Sequence, residues 1–80
     1  MGRDSEPAAH FAGLKCHLRR VPMVGGDYDP GGAYWGSGRD VEPLWCVWAY
    51  DAEGFEIVAY TRAGSRAGAK SKFQGAMWFR

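Results

Sequence analysis

The stretch Pro43–Arg62 decides the fold and reads PLWCVWAY, then DAEG, then FEIVAYTR. Leu44–Tyr50 is a continuous apolar run, which is typical of a central β-strand, and Phe55–Arg62 is a second β-prone run. A short polar turn containing Gly54 separates them, so the two runs predict an antiparallel hairpin. Because side chains alternate along a strand, we expect one sheet face to carry Trp45, Val47, Ala49, Ile57, Ala59 and Thr61, and the other Cys46, Trp48, Tyr50, Glu56, Val58, Tyr60 and Arg62.

A third strand is predicted upstream of this hairpin. Leu14, Cys16 and Leu18 alternate with polar residues, which is the period of a half-buried strand, and Pro22 closes the run. Between this strand and the hairpin, Gly25–Gly38 contains six of the twelve glycines, so we expect a long loop with tight turns. Its aromatic residues Tyr28, Tyr34 and Trp35 suit either a lid on a small core or a binding surface, and both readings stay open.

A helix is predicted after the hairpin. Ser65 is a good N-cap, and Ala69, Phe73 and Met77 recur at four-residue spacing, which would form one apolar stripe against the sheet. The predicted fold class is therefore α+β, a three-stranded antiparallel sheet followed by one C-terminal helix, in the order βββα. One helix cannot cover both faces of this sheet, so the face with Trp48 requires the loop or a partner.

Length and composition predict one small domain of residues 10–80 behind a disordered leader of residues 1–9. The chain has 80 residues, of which 15% are aromatic, enough for one compact core. Residues 1–12 lack the apolar core of a signal peptide, and no apolar run is long enough to span a membrane. We therefore expect a cytoplasmic protein, either a monomer or a homodimer.

Charge is segregated along the chain although the net charge is only +1. Residues 27–56 carry seven acidic side chains and one basic side chain, whereas residues 57–80 carry five basic side chains and no acidic one. This segregation predicts an acidic face and a basic face, or alternatively mutual neutralisation across the fold.

Catalytic and metal-binding patterns are not found in the sequence. Cys16, Cys46, His10 and His17 show no familiar zinc spacing, and Asp27 with Asp29 gives too few oxygen ligands for a calcium loop. There is no nucleophile elbow and no P-loop. We therefore predict a protein that is not an enzyme and uses no cofactor or metal.

The segments Tyr28–Gly36, Pro43–Trp45 and Thr61–Lys70 resemble a group of small phage and prophage proteins. That group shares the pattern YDxGGAYWG…LW…RAxSRxxAK, and the likeness covers residues 28–73. The resemblance implies an accessory protein, and most concretely an anti-CRISPR protein that binds a type I Cas effector complex and blocks its binding to target DNA. Electrostatic complementarity to the basic grooves of such a nucleoprotein predicts these partner-binding residues: Asp27, Tyr28, Asp29, Tyr34, Trp35, Asp40, Glu42, Glu53 and Glu56.

The junction between the last predicted strand and the helix supports an alternative. In element order, residues 44–74 resemble the arm-type DNA-binding domain of phage integrases. That resemblance implies a small DNA-binding accessory factor whose basic helix face carries Arg62, Arg66, Lys70 and Lys72. A phage structural or assembly protein is the third alternative, and it requires neither surface.

Overall fold

A mixed sheet of four strands is the frame of the molecule in the residues that the computed structural model describes, which are 5–22, 30–32 and 42–79. The strand order is β3-β2-β1-β4; β1 and β3 each pair antiparallel with β2, and β4 pairs parallel with β1. The elements, in chain order, are a 3-10 helix Ala8–Phe11, β1 Lys15–Arg20, β2 Leu44–Tyr50, β3 Glu56–Arg62, α1 Arg66–Ser71 and β4 Met77–Trp78.

The hairpin that the sequence predicts is confirmed as β2 and β3. All seven residues of β2 pair with β3, from Leu44 opposite Arg62 to Tyr50 opposite Glu56. In the turn, an Asp51 carboxylate oxygen accepts hydrogen bonds from the backbone N–H groups of Glu53 and Phe55, both at 2.9 Å. Gly54 has a φ of +88°, a conformation that glycine adopts without the strain a side chain would add.

Two predictions are wrong at the C-terminal end of the chain: that the sheet has three strands, and that the helix carries its apolar stripe as far as Met77. The helix begins after Ser65 as predicted, since the Ser65 hydroxyl accepts the Gly68 N–H at 3.1 Å, but it ends at Ser71. Gly75, with a φ of +84°, then turns the backbone, and Met77 pairs with Lys15 as the start of β4. Phe73 is buried as the apolar stripe predicts, whereas Met77 is 52% exposed. The α+β class is confirmed, and the sheet has a fourth strand.

The core lies between the sheet and the segments that cross one of its faces. Val47, Ala49 and Ala59 are buried from the sheet side, as the alternation predicts, and Phe11 and Phe73 pack on them. The rings of Phe11 and Phe73 meet edge to face, 5.3 Å between centroids, a favourable geometry for aromatic pairs. We call this buried side of the sheet the inner face. A second buried cluster on it consists of Trp45, Ala63 and Ala69.

Ser5 and Glu6, which the sequence assigns to a disordered leader, make hydrogen bonds along the outer edge of β3. The Glu6 N–H donates to the carbonyl oxygen of Val58 at 2.9 Å, and the Tyr60 N–H donates to the Ser5 hydroxyl at 2.9 Å. These bonds satisfy two backbone groups that an edge strand would otherwise present to solvent. Among the described residues, no helix has the length and apolarity needed to cross a membrane.

Candidate functional site

The face of the sheet opposite the core is the candidate site, and we call it the outer face. Residues paired across strands share a face, and the outer residues alternate with the buried ones of the inner face. This confirms the assignment made from the hairpin sequence and adds the residues of β1. The outer face carries Lys15, His17 and Arg19 from β1, Cys46, Trp48 and Tyr50 from β2, and Glu56, Val58, Tyr60 and Arg62 from β3.

Three stacked rings cross this face, and we call them the ring row. The His17 ring lies between Trp48, 4.9 Å away with planes 15° apart, and Phe79, 4.3 Å away with planes 13° apart. The ammonium group of Lys15 lies 4.9 Å from the Phe79 ring centroid, within the range of a cation–π contact. Sequence reasoning missed His17 and Phe79 as site residues. The alternation of β1 could have placed His17 beside Trp48, but no local pattern places Phe79 there.

An open depression of about 230 Å³ adjoins the ring row. The register places Cys46 beside Tyr60 and Trp48 beside Val58, so these four side chains form its floor. Its charged residues stand at opposite corners, because Arg19 pairs with Cys46 on the β1 side and Glu56 begins β3 at the hairpin end. The residues lining it are Arg19, Cys46, Trp48, Glu56, Val58 and Tyr60.

The Cys46 thiol in this depression is a poor nucleophile. Burial raises its pKa, and the Glu56 carboxylate adds to the rise, while a hydrogen bond with Tyr60 and the Arg19 cation oppose it. The thiolate is the reactive form, so a raised pKa keeps the group protonated and unreactive near neutral pH. Cys16, on the inner face, is fully buried, and burial raises its pKa as well. Among the residues described, no three His, Cys, Asp or Glu side chains come together as a metal site.

The predicted partner-binding residues separate into three groups. Asp27, Tyr28, Asp29, Tyr34, Trp35 and Asp40 lie outside the described residues. Glu53 and Glu56 lie at the turn between β2 and β3, whereas Glu42 precedes β2 at its other end. Seven strand residues at ~3.3 Å each separate the two ends by roughly 20 Å. Glu42 therefore does not share a patch with Glu53 and Glu56.

We call residues 51–56 the hairpin tip. It carries three carboxylates and no basic side chain, and Phe55 within it is 68% exposed. Asp51 holds the backbone of the tip through its two hydrogen bonds to Glu53 and Phe55, while the side chains of Glu53 and Glu56 are exposed. The sequence pointed to the two glutamates. It did not single out Phe55, which starts an apolar run and reads as an ordinary strand residue.

The four predicted DNA-binding cations do not form one face. Arg62 lies on the outer face and donates to the Glu42 carbonyl oxygen at 3.0 Å. Arg66 donates to the Leu18 carbonyl oxygen at 3.2 Å, and its guanidinium group lies 5.5 Å from the Trp45 ring centroid.

The two lysines also contact the fold itself. Lys72 donates to the carbonyl oxygen of Arg62 at 2.5 Å, and the ammonium group of Lys70 lies 5.7 Å from the Trp78 ring centroid. Together with Arg66, these lysines tie α1 and the segment after it to the strands. Their positive charges therefore have structural contacts in addition to any role at the surface.

No family model, curated protein or solved structure matches this chain.

Proposed function

We propose that this chain is a non-enzymatic binding protein of phage origin that inserts its hairpin tip into a basic groove of a host nucleoprotein. In its most specific form, the partner is a type I CRISPR effector complex in the host cytoplasm, and the tip competes with target DNA. The observation that carries the proposal is the combination, at one hairpin turn, of exposed carboxylates with an exposed phenylalanine.

Electrostatics and burial act together at such a tip. The carboxylates of Glu53 and Glu56 would be attracted to a groove lined with Lys and Arg. Complementary charge of this kind raises the association rate and disfavours binding to wrong partners. Phe55 is an exposed apolar side chain, and its removal from water by a partner would favour binding. The two hydrogen bonds to Asp51 already order the turn, so less conformational entropy is lost on binding.

An electrophoretic shift assay tests the proposal. A purified type I effector and labelled target duplex are combined with the wild-type protein, with Phe55→Ala, with Glu53→Lys or with Glu42→Lys. We expect the wild type to prevent the effector from shifting the duplex, and both tip variants to require more protein for the same effect. Glu42→Lys makes the same charge change roughly 20 Å from the tip, so it should inhibit nearly as well as the wild type.

Two outcomes would contradict the proposal at different levels. If the wild-type protein leaves effector binding unchanged, the CRISPR effector is not the partner. If the wild type inhibits and both tip variants inhibit equally well, the partner binds elsewhere on the molecule.

The same assay covers the DNA-binding alternative, which no observed contact favours. Duplex alone, mixed with this protein, would shift if the chain were a DNA-binding accessory factor, and Arg66→Gln with Lys70→Gln would abolish that shift. The contacts of Arg66 and Lys72 with backbone carbonyls instead support a role in holding α1 on the sheet. An assembly role predicts no effect in any lane.

A further inference from the structure

We propose that the outer face binds an unpaired strand of nucleic acid, with one base in the depression beside Trp48 and its phosphate at Arg19. This inference does not depend on the proposed function, because it uses a different surface from the exposed Phe55 side chain of the hairpin tip. It assigns a ligand class to a depression and a ring row that share only Glu56 with the hairpin tip.

The ring row supplies a rigid stacking surface. His17 lies between Phe79 and Trp48 with all three rings within about 15° of parallel to their neighbours, so each ring holds the next in place. His17 covers Trp48 from the β1 side, while the depression lies toward Val58 of β3. A planar base in the depression would therefore extend the row by one ring, on the side of Trp48 that His17 leaves uncovered. Every base has a π-face, so such stacking requires no particular sequence.

The charges of the outer face suit an anionic strand. Lys15, Arg19 and Arg62 lie on this face, against a single carboxylate, Glu56, among its strand residues. Lys15 and Arg19 both belong to β1, two residues before and two residues after His17, so one cation flanks the ring row on each side. Cations beside aromatic rings are the combination by which proteins bind single strands, since the cations track phosphates while the rings stack bases.

The depression has polar groups at the corners where a nucleotide would need them. Arg19 stands at the β1 corner and can bond a phosphate oxygen, and Glu56 at the opposite corner can accept a hydrogen bond from a base N–H. The floor between them consists of Cys46, Trp48, Val58 and Tyr60, and Trp48 offers the ring on which a base can stack. In a duplex the bases stack on each other and their faces are not available, so this geometry selects unpaired strands.

Fluorescence anisotropy with labelled oligonucleotides tests the inference. The probes are a single-stranded DNA 12-mer, an RNA 12-mer of the same sequence and the corresponding DNA duplex, each titrated with the full chain at several salt concentrations. We expect the single strands to bind more tightly than the duplex and their affinity to fall as salt rises. The two single-stranded probes distinguish DNA from RNA as the source of the strand.

Three variants separate the proposed site from general charge attraction. Trp48→Leu should weaken single-strand binding by about 5-fold to 150-fold, the range expected for losing one stacked base. Arg19→Gln should weaken it and lower the salt slope by roughly 0.7, the value for one phosphate contact on a single strand. Lys70→Gln removes the same charge from the inner side, at a residue placed over Trp78, and should leave binding unchanged.

Several results would overturn the inference. These are no binding at low salt, equal affinity for duplex and single strand, or equal weakening by Arg19→Gln and Lys70→Gln. A concentration-dependent homodimer that Trp48→Leu dissociates would instead show that a second copy covers the outer face. Arg19→Gln keeps the test decisive if Trp48→Leu fails to fold, because Arg19 is exposed. Phe55→Ala should not affect strand binding, whereas the hairpin-tip proposal predicts that it weakens inhibition of the effector. The two proposals can therefore fail independently of each other.

Discussion

Trp45 shows how a single side chain joins two parts of the fold. Its ring is buried, and its Nε1–H donates to the Ala63 carbonyl oxygen at 2.9 Å, just after β3 ends. Trp45→Phe keeps an aromatic ring but leaves this buried acceptor without its donor, so we expect a loss of about 1–3 kcal/mol in the free energy of unfolding. Urea denaturation measures it, with Trp78→Phe at a half-buried ring as the control. Equal losses in the two variants would contradict a role for the hydrogen bond.

Cys16 predicts a pH dependence at the same scale. Burial raises the pKa of its thiol in the folded state, so its contribution to stability is complete below the unfolded pKa and is lost as the pH rises through the folded pKa. We expect the free energy of unfolding to fall from pH ~8.5 upward and to fall less steeply in Cys16→Ala. Cys46→Ala should flatten the fall as well, because burial and Glu56 raise the pKa of that thiol although Tyr60 and Arg19 oppose the rise. If Cys16→Ala and the wild type lose stability in parallel, the thiol does not contribute.

At the scale of elements, Gly75 is where the chain turns from the segment after α1 into β4. Its φ is +84°, and a Cβ added there would lie 3.1 Å from the Cβ of Ala12. Gly75→Ala should therefore destabilise through both the left-handed backbone, roughly 1–2 kcal/mol, and the close contact. Gly54→Ala is a matched control, since Gly54 has a φ of +88° and nothing within 4 Å of the added Cβ. Thermal unfolding of both should give the larger loss at Gly75, and the reverse order would contradict this account.

The elements also show which parts of the fold can be predicted from local sequence patterns. β2, β3 and the N-cap at Ser65 follow from patterns within a few residues, and the structure confirms them. β4 could not be predicted this way, because two residues form a strand only when β1 is already beside them. Phe73 satisfies a helical spacing and is buried, yet it lies beyond the end of α1. The ring row could not be predicted from local sequence either, because Phe79 reaches His17 only when β4 pairs with β1.

At the scale of the whole molecule, the outer edge of β3 is protected by residues 5 and 6 through two hydrogen bonds. Deleting residues 2–6 would expose the N–H of Tyr60 and the carbonyl of Val58, and exposed edges pair with other chains. We expect the shortened protein to associate at concentrations where the full chain does not, measured by light scattering. Ser5→Ala, which keeps the backbone bond of Glu6, should behave nearly like the wild type. A shortened protein that scatters no more than the full chain would contradict this role.

The pairing of β4 with β1 also governs how fast the molecule can form. The hairpin of β2 and β3 joins neighbours in the chain, whereas Lys15 and Met77 are about sixty residues apart, and such distant contacts are slow to form. We infer that the hairpin is present in the transition state for folding and that β4 joins after it. Substitutions in β4 should then accelerate unfolding and hardly change the folding rate, while substitutions in the hairpin should slow folding. The ring row, which needs β4, would be among the last parts of the molecule to assemble and the first to come apart.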